Sequence, residues 1–325
     1  MDTLPIELIE LIFDKLDFVA QVHIKQVSKL FDIFLITDFN NIPSHIKKAL
    51  TEEILESKPY ITALDISFTD LYPDFDCFPA LKVLDCSYNL QITDEDIHDL
   101  KLIELDAQST QIKNIGHMSS LKILGCGGSS DIGDEDLQNL NLIELWAADN
   151  SQIKKINHMS NLRILNCADE CGISDQDLLG LNLTELNVSH NTKITNISHL
   201  TNLISLDCSY ESGLTNESLK TLNLVELNIF NNTVIKNIGH MTNLRVLHCG
   251  YNSLVGDDDL KHFNLIELYA FDNPKIKNIG HMSNLRILWC GGDCGISDDD
   301  IRGLNLVKLK AKGNPKVTIK LKKLW

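Results

Sequence analysis

The sequence predicts an α/β repeat solenoid: a curved parallel sheet on the concave face, helices and 3₁₀ turns on the convex face, and a short all-helical head. The first observation is a period of 41 residues, which relates LKVLDCSYNLQITDEDIHDL from Leu81 to LRILNCADECGISDQDLLGL from Leu162. The second is a related segment halfway through each period, for example LIELYAFDNPKIKNIGHMSN from Leu265. Self-similarity at such a period is typical of solenoids, in which each unit buries its apolar face against its neighbours.

Both segments fit the pattern L-x-x-L-x-L-x-x-N-x-L, which is that of a leucine-rich repeat. With a degenerate copy from Ile61 they make thirteen repeats, which we place in residues 60–325. Side chains alternate faces along a strand, so the leucines point into the core and the x residues point outward. After each strand a recurring asparagine can bond the turn backbone. These asparagines are Asn150, Asn191, Asn232, Asn273 and Asn314.

The segments on the convex side are of two kinds. In the version with cysteine in the third apolar slot, a Ser or Thr precedes an Asp by three residues, which predicts helix N-caps. The pairs are Thr93 with Asp96, Ser174 with Asp177 and Ser297 with Asp300. The other version, I-K-N-I-G-H-M, lacks this signal, so we expect a 3₁₀ or irregular turn there.

Amphipathic segments precede the repeats. Thr3 can cap a helix that has Pro5 in its first turn, where a missing N–H costs nothing. Apolar residues at helical spacing follow at Leu8, Leu11, Ile12 and Leu16. We predict a helical head over residues 1–42 and a helical linker over residues 43–59, in which one amphipathic helix spans residues 44–57.

The head resembles the F-box. Members of that family begin with Leu-Pro-x-Glu, carry Ile-Phe and Leu-Asp pairs, and end with Val-Ser-Lys and an aromatic residue. The matching positions here are Leu4, Pro5, Glu7, Ile12, Phe13, Leu16, Asp17, Val27, Ser28, Lys29 and Phe31. Phe18 stands where a Pro is common, and Phe31 where a Trp is common. An F-box followed by leucine-rich repeats is the arrangement of a known class of adaptor.

The resemblance implies that the head docks on the Skp-type adaptor of a cullin-based (SCF-type) ubiquitin ligase while the repeats hold the protein to be ubiquitinated. By position, the adaptor-binding residues are Leu4, Pro5, Leu8, Ile12, Leu16 and Val27. The same side chains can instead pack the head against itself, since an amphipathic stripe often faces a core. An alternative function also stays open, that of a non-catalytic scaffold or decoy which binds a protein without ubiquitination. The chain is also similar to the F-box repeat proteins that giant DNA viruses encode.

Composition restricts the partners and the compartment. The formal net charge of −16 disfavours nucleic acid and membrane surfaces, which are themselves negative, and favours a neutral or basic protein substrate. Nine cysteines, an odd number, and an N-terminus without a basic signal region predict reduced intracellular thiols. We therefore expect a cytoplasmic chain (host cytoplasm if viral) or a nuclear one.

The recurring cysteines and histidines do not indicate a metal or disulfide site. Residues that recur once per pair of repeats lie about 10 Å apart, whereas a disulfide needs Cα atoms within about 7 Å. The periodic histidines from His117 to His281 are also too far apart to share one ion, and we expect them to bond turn backbone. The acidic triplets 257–259 and 298–300 lack the loop of a calcium site and fit helix caps instead. No catalytic motif occurs, so we expect no enzymatic activity, cofactor or metal.

The outward strand positions carry glutamates that alternate with apolar residues, and aromatic residues that concentrate toward the C-terminal half. Aromatic residues dominate interface hot spots, so we predict a protein-binding surface there. Its substrate-binding residues are Trp146, Glu226, Phe230, His248, Tyr251, Glu267, Tyr269, Phe271 and Trp289. The rings could instead pack against one another or under the C-terminal tail, and the glutamates could simply solubilise the face. The Lys-rich segment from Lys308 onward is interpreted as a polar cap on the solenoid.

Overall fold

The computed structural model describes residues 12–13, 15–27, 36–40 and 42–320. The predicted head residues Leu4, Pro5 and Leu8 lie outside these ranges. The chain divides into two compact units, Met1–Leu142 and Ile143–Trp325, and each is described by itself. Within the described ranges no helix has the length and apolar character needed to cross a membrane. The longest one there, α1 (Phe18–Val27), has ten residues.

The first unit is a parallel sheet whose strands pair in chain order. They are β1 (Asp38–Phe39), β2 (Ala63–Asp65), β3 (Val83–Asp85), β4 (Glu104–Asp106) and β5 (Ile123–Gly125). After α1 the helices are α2 (Ser44–Lys47), α3 (Glu52–Glu56), a 3₁₀ turn (Phe75–Cys77), α4 (Asp94–Ile97) and α5 (Asp134–Leu137). The middle residue of each strand from β2 to β5 is a fully buried leucine, so the repeat pattern places the core as expected.

Two local features of the first unit differ from the expectation. Strand β1 precedes the first repeat and pairs with β2, and at two residues it is too short for an alternating pattern to reveal it. The linker forms the two short helices α2 and α3, so the prediction of one helix over residues 44–57 is wrong. Thr51 has an extended backbone, and its hydroxyl accepts a hydrogen bond from the Ile54 N–H at 3.3 Å. This cap begins a new helix instead of continuing the first.

The second unit continues the same pattern. Its strands are β6 (Glu144–Trp146), β7 (Ile164–Asn166), β8 (Glu185–Asn187), β9 (Ser205–Asp207), β10 (Glu226–Asn228), β11 (Val246–His248), β12 (Glu267–Tyr269), β13 (Ile287–Trp289) and β14 (Lys308–Lys310). Its helices are α6 (Asn216–Leu219), α7 (Asp257–Leu260) and α8 (Asp298–Ile301), with 3₁₀ turns at Asp175–Leu178 and Ile238–His240. The strands of this unit are parallel and in chain order. Strands β2 to β14 occupy the repeat positions counted from Ile61 onward.

The recurring asparagines connect each pair of repeats to the next. The side-chain amides of Asn191, Asn232 and Asn273 donate to the carbonyls of Cys167, Cys208 and Cys249 at 2.6, 2.8 and 2.7 Å. Their carbonyl oxygens accept the backbone N–H two residues further on, and all three side chains are buried. The prediction that these residues bond turn backbone is confirmed.

Aspartates organise the convex side. Ser174 and Ser297 donate both their backbone N–H and their hydroxyl to the aspartate three residues later, at 2.6–2.9 Å, which confirms the predicted caps. The first aspartate of a helix contacts the next repeat. Asp257 accepts the backbone N–H groups of Lys277 and Asn278 at 2.7 and 3.0 Å, and Asp298 holds residues 318 and 319 in the same way. The acidic triplets therefore cap helices and join repeats.

The periodic histidines bond backbone as expected. The Nε2 atoms of His199, His240 and His281 lie 3.2, 3.1 and 3.2 Å from the carbonyl oxygens of Leu178, Leu219 and Leu260. Each of these carbonyls comes at the end of the short helix or 3₁₀ turn of the preceding repeat, where intrahelical partners run out. Through these contacts each histidine connects the turn of its own repeat to the helical segment of the preceding repeat.

The eight buried thiols are expected to be unreactive in the folded chain. All nine cysteines are among the described residues and none forms a disulfide; only Cys77 is not buried. Burial raises the pKa of Cys171 to about 11 and that of Cys290 to about 12, and the thiolate is the reactive form. At pH 8 a disulfide-exchange reagent should titrate at most one thiol rapidly in the native protein and all nine in denaturant. Cys77→Ser should remove the rapid phase, and two or more rapid native thiols would contradict the packing.

Candidate protein-interaction face

In the second unit the last residues of successive strands lie side by side. From β7 to β14 they are Asn166, Asn187, Asp207, Asn228, His248, Tyr269, Trp289 and Lys310. The first four terminate their strands, because each side-chain oxygen accepts the backbone N–H two residues later at 2.9–3.2 Å. Such side-chain turns are a local structural role. Polar residues at these four positions are therefore explained by the fold.

The next three residues cannot form that turn. His248, Tyr269 and Trp289 replace the turn-forming residue with an aromatic ring, and the rings contact one another. The His248 and Tyr269 rings stack with centroids 4.0 Å apart and planes 6° apart. The Tyr269 and Trp289 centroids lie 5.0 Å apart in an edge-to-face arrangement. We call these three residues the strand aromatic row. Because these rings do not form the turn that ends the neighbouring strands, the fold alone does not explain why aromatic residues occupy these positions.

Trp289 has charged neighbours on one side. The Lys310 ammonium lies 3.8 Å from the ring centroid and the Lys308 ammonium 5.6 Å, in the geometry of a cation–π contact. The indole N–H is buried and finds no hydrogen-bond acceptor among the described residues. The end of the strand aromatic row is therefore positively charged. This was not predicted from the sequence, in which the same lysines indicate only a polar cap.

A second set of rings, the turn aromatic row, lies beyond the strand ends. It runs from His190 through Tyr210, Phe230 and Tyr251 to Phe271, with successive centroids 4.4, 5.6, 4.8 and 5.8 Å apart. The expectation that the last three stand on the outward strand positions is wrong. The strands end at Asn228, His248 and Tyr269, and the rings lie on the turns after them.

Three members of the turn aromatic row have an unfavourable backbone. His190, Tyr210 and Tyr251 have φ angles of 55°, 58° and 56°, in the left-handed region that costs most residues about 1–2 kcal/mol. In other repeats of this unit the same turn position holds Asp, Asn or Gly, which adopt this region more easily. His190 and Tyr210 are absent from the residues predicted for the surface. The sequence does contain a signal that could have found them. His190 and Tyr210 each lie two residues after the third apolar slot of their repeat, which is also the position of Tyr251.

Carboxylates stand beside the rings at the first position of alternate strands. These are Glu185, Glu226 and Glu267, on β8, β10 and β12. Burial, reinforced by the charges of Glu267, Glu185 and Asp207, raises the pKa of Glu226. Its nearest basic group is the His248 imidazole, whose Nε2 lies 4.0 Å from Oε1. Burial lowers the pKa of His248, although Asp207 and Glu267 oppose that shift, so the ring is neutral at pH 7 and does not balance the charge.

Tyr269 joins the strand aromatic row to the carboxylates through a hydrogen bond. Its hydroxyl donates a hydrogen bond to Glu267. Burial, this hydrogen bond and the nearby negative charges raise the pKa of Tyr269 to about 12, so the hydroxyl keeps its proton. The negative charge of Glu267 is thus held next to the ring of Tyr269.

Eight of the nine predicted substrate-binding residues come together on β10 to β13 and the turns after these strands. Trp146 does not. It is 44% exposed on β6, four strands and about 19 Å from β10. The first unit has a separate pair that was not predicted, Phe68 and Tyr88, whose rings stack 4.4 Å apart.

Of the predicted adaptor-binding residues, three lie within the described ranges. The Ile12 side chain is 52% exposed, whereas its neighbour Phe13 is buried against Ile24 and Ile36. Leu16 is half-buried, and Val27 is the last residue of α1. Phe13 therefore supplies the core of this segment, and Ile12 is left facing solvent.

Comparison with known proteins identifies both parts of the chain. The F-box domain family matches residues 1–31. A solved internalin, InlF of Listeria monocytogenes, matches with 21% identity and a TM-score of 0.53, over 84% of this chain and 90% of that chain. The solved Rad7 and Elc1 complex of yeast matches with 18% identity and a TM-score of 0.51, over 98% of this chain and 90% of that chain. A search of curated proteins found no match.

The parallel one-strand repeats, the buried asparagines between them and these fold similarities agree with the leucine-rich-repeat solenoid that the sequence predicts. The match at residues 1–31 agrees with the resemblance seen in the head. The chain therefore has an F-box domain at residues 1–31 and a leucine-rich-repeat fold behind it.

Proposed function

We propose that this chain is a substrate-recognition adaptor of a cullin-based, SCF-type ubiquitin ligase. The F-box domain docks on a Skp-type adaptor, and the repeats bind the protein to be ubiquitinated. The match of residues 1–31 to the F-box domain supports the first part. The Rad7 structure, which matches nearly the whole chain, was solved as a complex with Elc1, so a partner-bound protein of this fold is known.

The observation that carries the second part is the strand aromatic row. Neighbouring repeats end their strands with a turn-forming Asn or Asp, whereas His248, Tyr269 and Trp289 give up that hydrogen bond for a ring. The turn aromatic row adds rings held in an unfavourable backbone conformation. Clustered aromatic side chains that are only half-buried are the composition of a protein-binding hot spot. The chain supplies binding, and its partners supply the transfer chemistry.

For the adaptor interface we propose Leu4, Pro5, Leu8, Ile12, Leu16 and Val27. Ile12 supports the proposal, because more than half of its side chain is exposed beside the buried Phe13. An exposed isoleucine next to a small core is available to a partner helix. We place this activity in the cytoplasm or nucleus, where the cysteines stay as thiols.

The adaptor interface is tested by size-exclusion chromatography of the purified chain with a Skp-type adaptor. Wild type should co-elute with the adaptor, and a Leu8→Asp, Ile12→Asp double variant should not, because two carboxylates would be buried in an apolar interface. Ile54→Asp is the matched control, since Ile54 is 41% exposed on α3, outside the head, and should leave co-elution intact. Co-elution of the double variant would refute the assigned interface.

The ligase function is separated from a scaffold or decoy by the events after adaptor binding. Cullin should be recovered together with the adaptor on the tagged chain in cells. A target found by proximity labelling, and lost in a Tyr269→Ala, Trp289→Ala variant, should accumulate when residues 1–42 are deleted. An unchanged target level after that deletion, with binding preserved, would establish the scaffold or decoy instead.

A further inference from the structure

The face formed by β8 to β14 is divided by charge along the strand order. Glu185, Asp207, Glu226 and Glu267 lie on β8 to β12, the strand aromatic row spans β11 to β13, and Lys308 and Lys310 lie on β14. Acidic, aromatic and basic side chains therefore follow one another across parallel strands. All of them project from the same side of the sheet, because first and last residues of a three-residue strand point the same way.

Neither charged end is neutralised within the described part of the chain. Three arginines adjoin the acidic strands, and their guanidinium groups donate to backbone carbonyls of their own turns at 2.8–3.3 Å; they are Arg163, Arg245 and Arg286. Glu226 has only the neutral His248 near it. Among the described residues, Lys308 and Lys310 contact the face of Trp289, and no carboxylate lies within ion-pair distance of either.

The separation of the two ends sets the length of a ligand. Glu226 on β10 and Lys308 on β14 are four strands apart, which is about 19 Å at the spacing of paired strands. An extended peptide rises about 3.3 Å per residue, so its residues i and i+6 are about 20 Å apart. Side chains at i, i+2, i+4 and i+6 of such a peptide point to one face.

We propose that this face binds an extended segment of the target protein lying across the strands, with a basic side chain at Glu226 and Glu267, apolar side chains on the strand aromatic row, and an acidic side chain at Lys308 and Lys310. The basic and acidic residues are six positions apart. This deepens the proposed function by naming the class of target segment, and it rests on that function. The target segment is recognised by charge complementarity at its two ends and by contact with the rings between them.

The test uses fluorescence anisotropy with the purified full chain and labelled peptides of the form Arg-Ser-Leu-Ser-Phe-Ser-Glu. The peptide with Arg and Glu at its ends should bind about tenfold or more tightly than one with Glu at both ends, since a like-charge contact costs more than the 1.4 kcal/mol of one decade. The preference should weaken as salt is added. Equal affinity for the two peptides, or no binding of either, overturns the proposal.

Charge exchange separates recognition from misfolding. A Glu226→Lys, Glu267→Lys variant has a basic group at both ends of the face, so it should lose the Arg peptide and gain the peptide with Glu at both ends. A misfolded chain cannot gain a ligand, and a variant that keeps the wild-type preference also overturns the proposal. Because no ligase component is present, failure here leaves adaptor docking untouched, and failure of adaptor docking leaves this result untouched.

Discussion

Lys47→Met should lower the free energy of unfolding of the first unit by about 3–5 kcal/mol, the cost of leaving one partner of a buried ion pair alone. The Lys47 ammonium contacts the Asp65 carboxylate, with only 14% and 8% of the two side chains exposed. Lys47 also donates to the Ser67 hydroxyl at 2.9 Å, and that hydroxyl donates to Asp65 at 2.6 Å. Methionine keeps the bulk of the side chain and removes its charge, so a buried carboxylate loses its counter-ion. Urea unfolding followed by circular dichroism measures the change.

The control lies at the next residue. Lys48 is exposed, and Lys48→Met should change the free energy of unfolding by no more than about 0.5 kcal/mol. A Lys47→Met, Asp65→Asn double variant should recover part of the loss, because no buried charge then remains. If Lys47→Met is as stable as Lys48→Met, the ion pair does not anchor α2 to the first repeat.

Asn232→Ala should cost about 2–4 kcal/mol, because it leaves several buried backbone groups without partners at about 1–3 kcal/mol each. The Asn232 amide donates to the Cys208 carbonyl at 2.8 Å, and its oxygen accepts the N–H groups of Val234 and Ile235, both at 2.9 Å. The side chain is fully buried, so water cannot replace these bonds. Urea unfolding monitored by tryptophan fluorescence of the second unit measures the loss.

An exposed asparagine provides the comparison for Asn232. Asn252 makes a single described side-chain bond, to the Asn231 side chain at 2.9 Å, and it is exposed. Asn252→Ala should therefore stay within about 0.5 kcal/mol of wild type. Equal effects of the two substitutions would mean that the buried asparagines do not hold the repeats together.

The repeat fold was predictable because its signals are local and repeated. The leucine spacing, the asparagine after each strand and the Ser-x-x-Asp caps each act within a few residues, and the structure places Leu227, Asn232 and Asp177 in the roles that the pattern indicates. Strand β1 and the break at Thr51 were not predictable in this way, since each occurs once and carries no repeat signal.

The candidate face was predictable only in part. Its aromatic residues could be named from the outward strand positions, yet which of them meet depends on the register between strands. His248 and Tyr269 stack because they occupy the same position on paired strands, whereas Trp146 is on a strand without such neighbours. His190 and Tyr210 were not predicted, because their rings join the turn aromatic row through turns that come after their strands.

The row of parallel strands behind an F-box-like head could be derived from the sequence alone, because side-chain alternation and turn chemistry are decided by neighbours along the chain. The places where charge and rings meet depend instead on tertiary structure. The contacts of Lys47 with Asp65, Lys310 with Trp289, and Glu226 with His248 join residues about twenty positions apart. Such contacts form only when strand pairing and helix docking bring separate repeats together. They cannot be predicted from the pattern of neighbouring residues in the sequence.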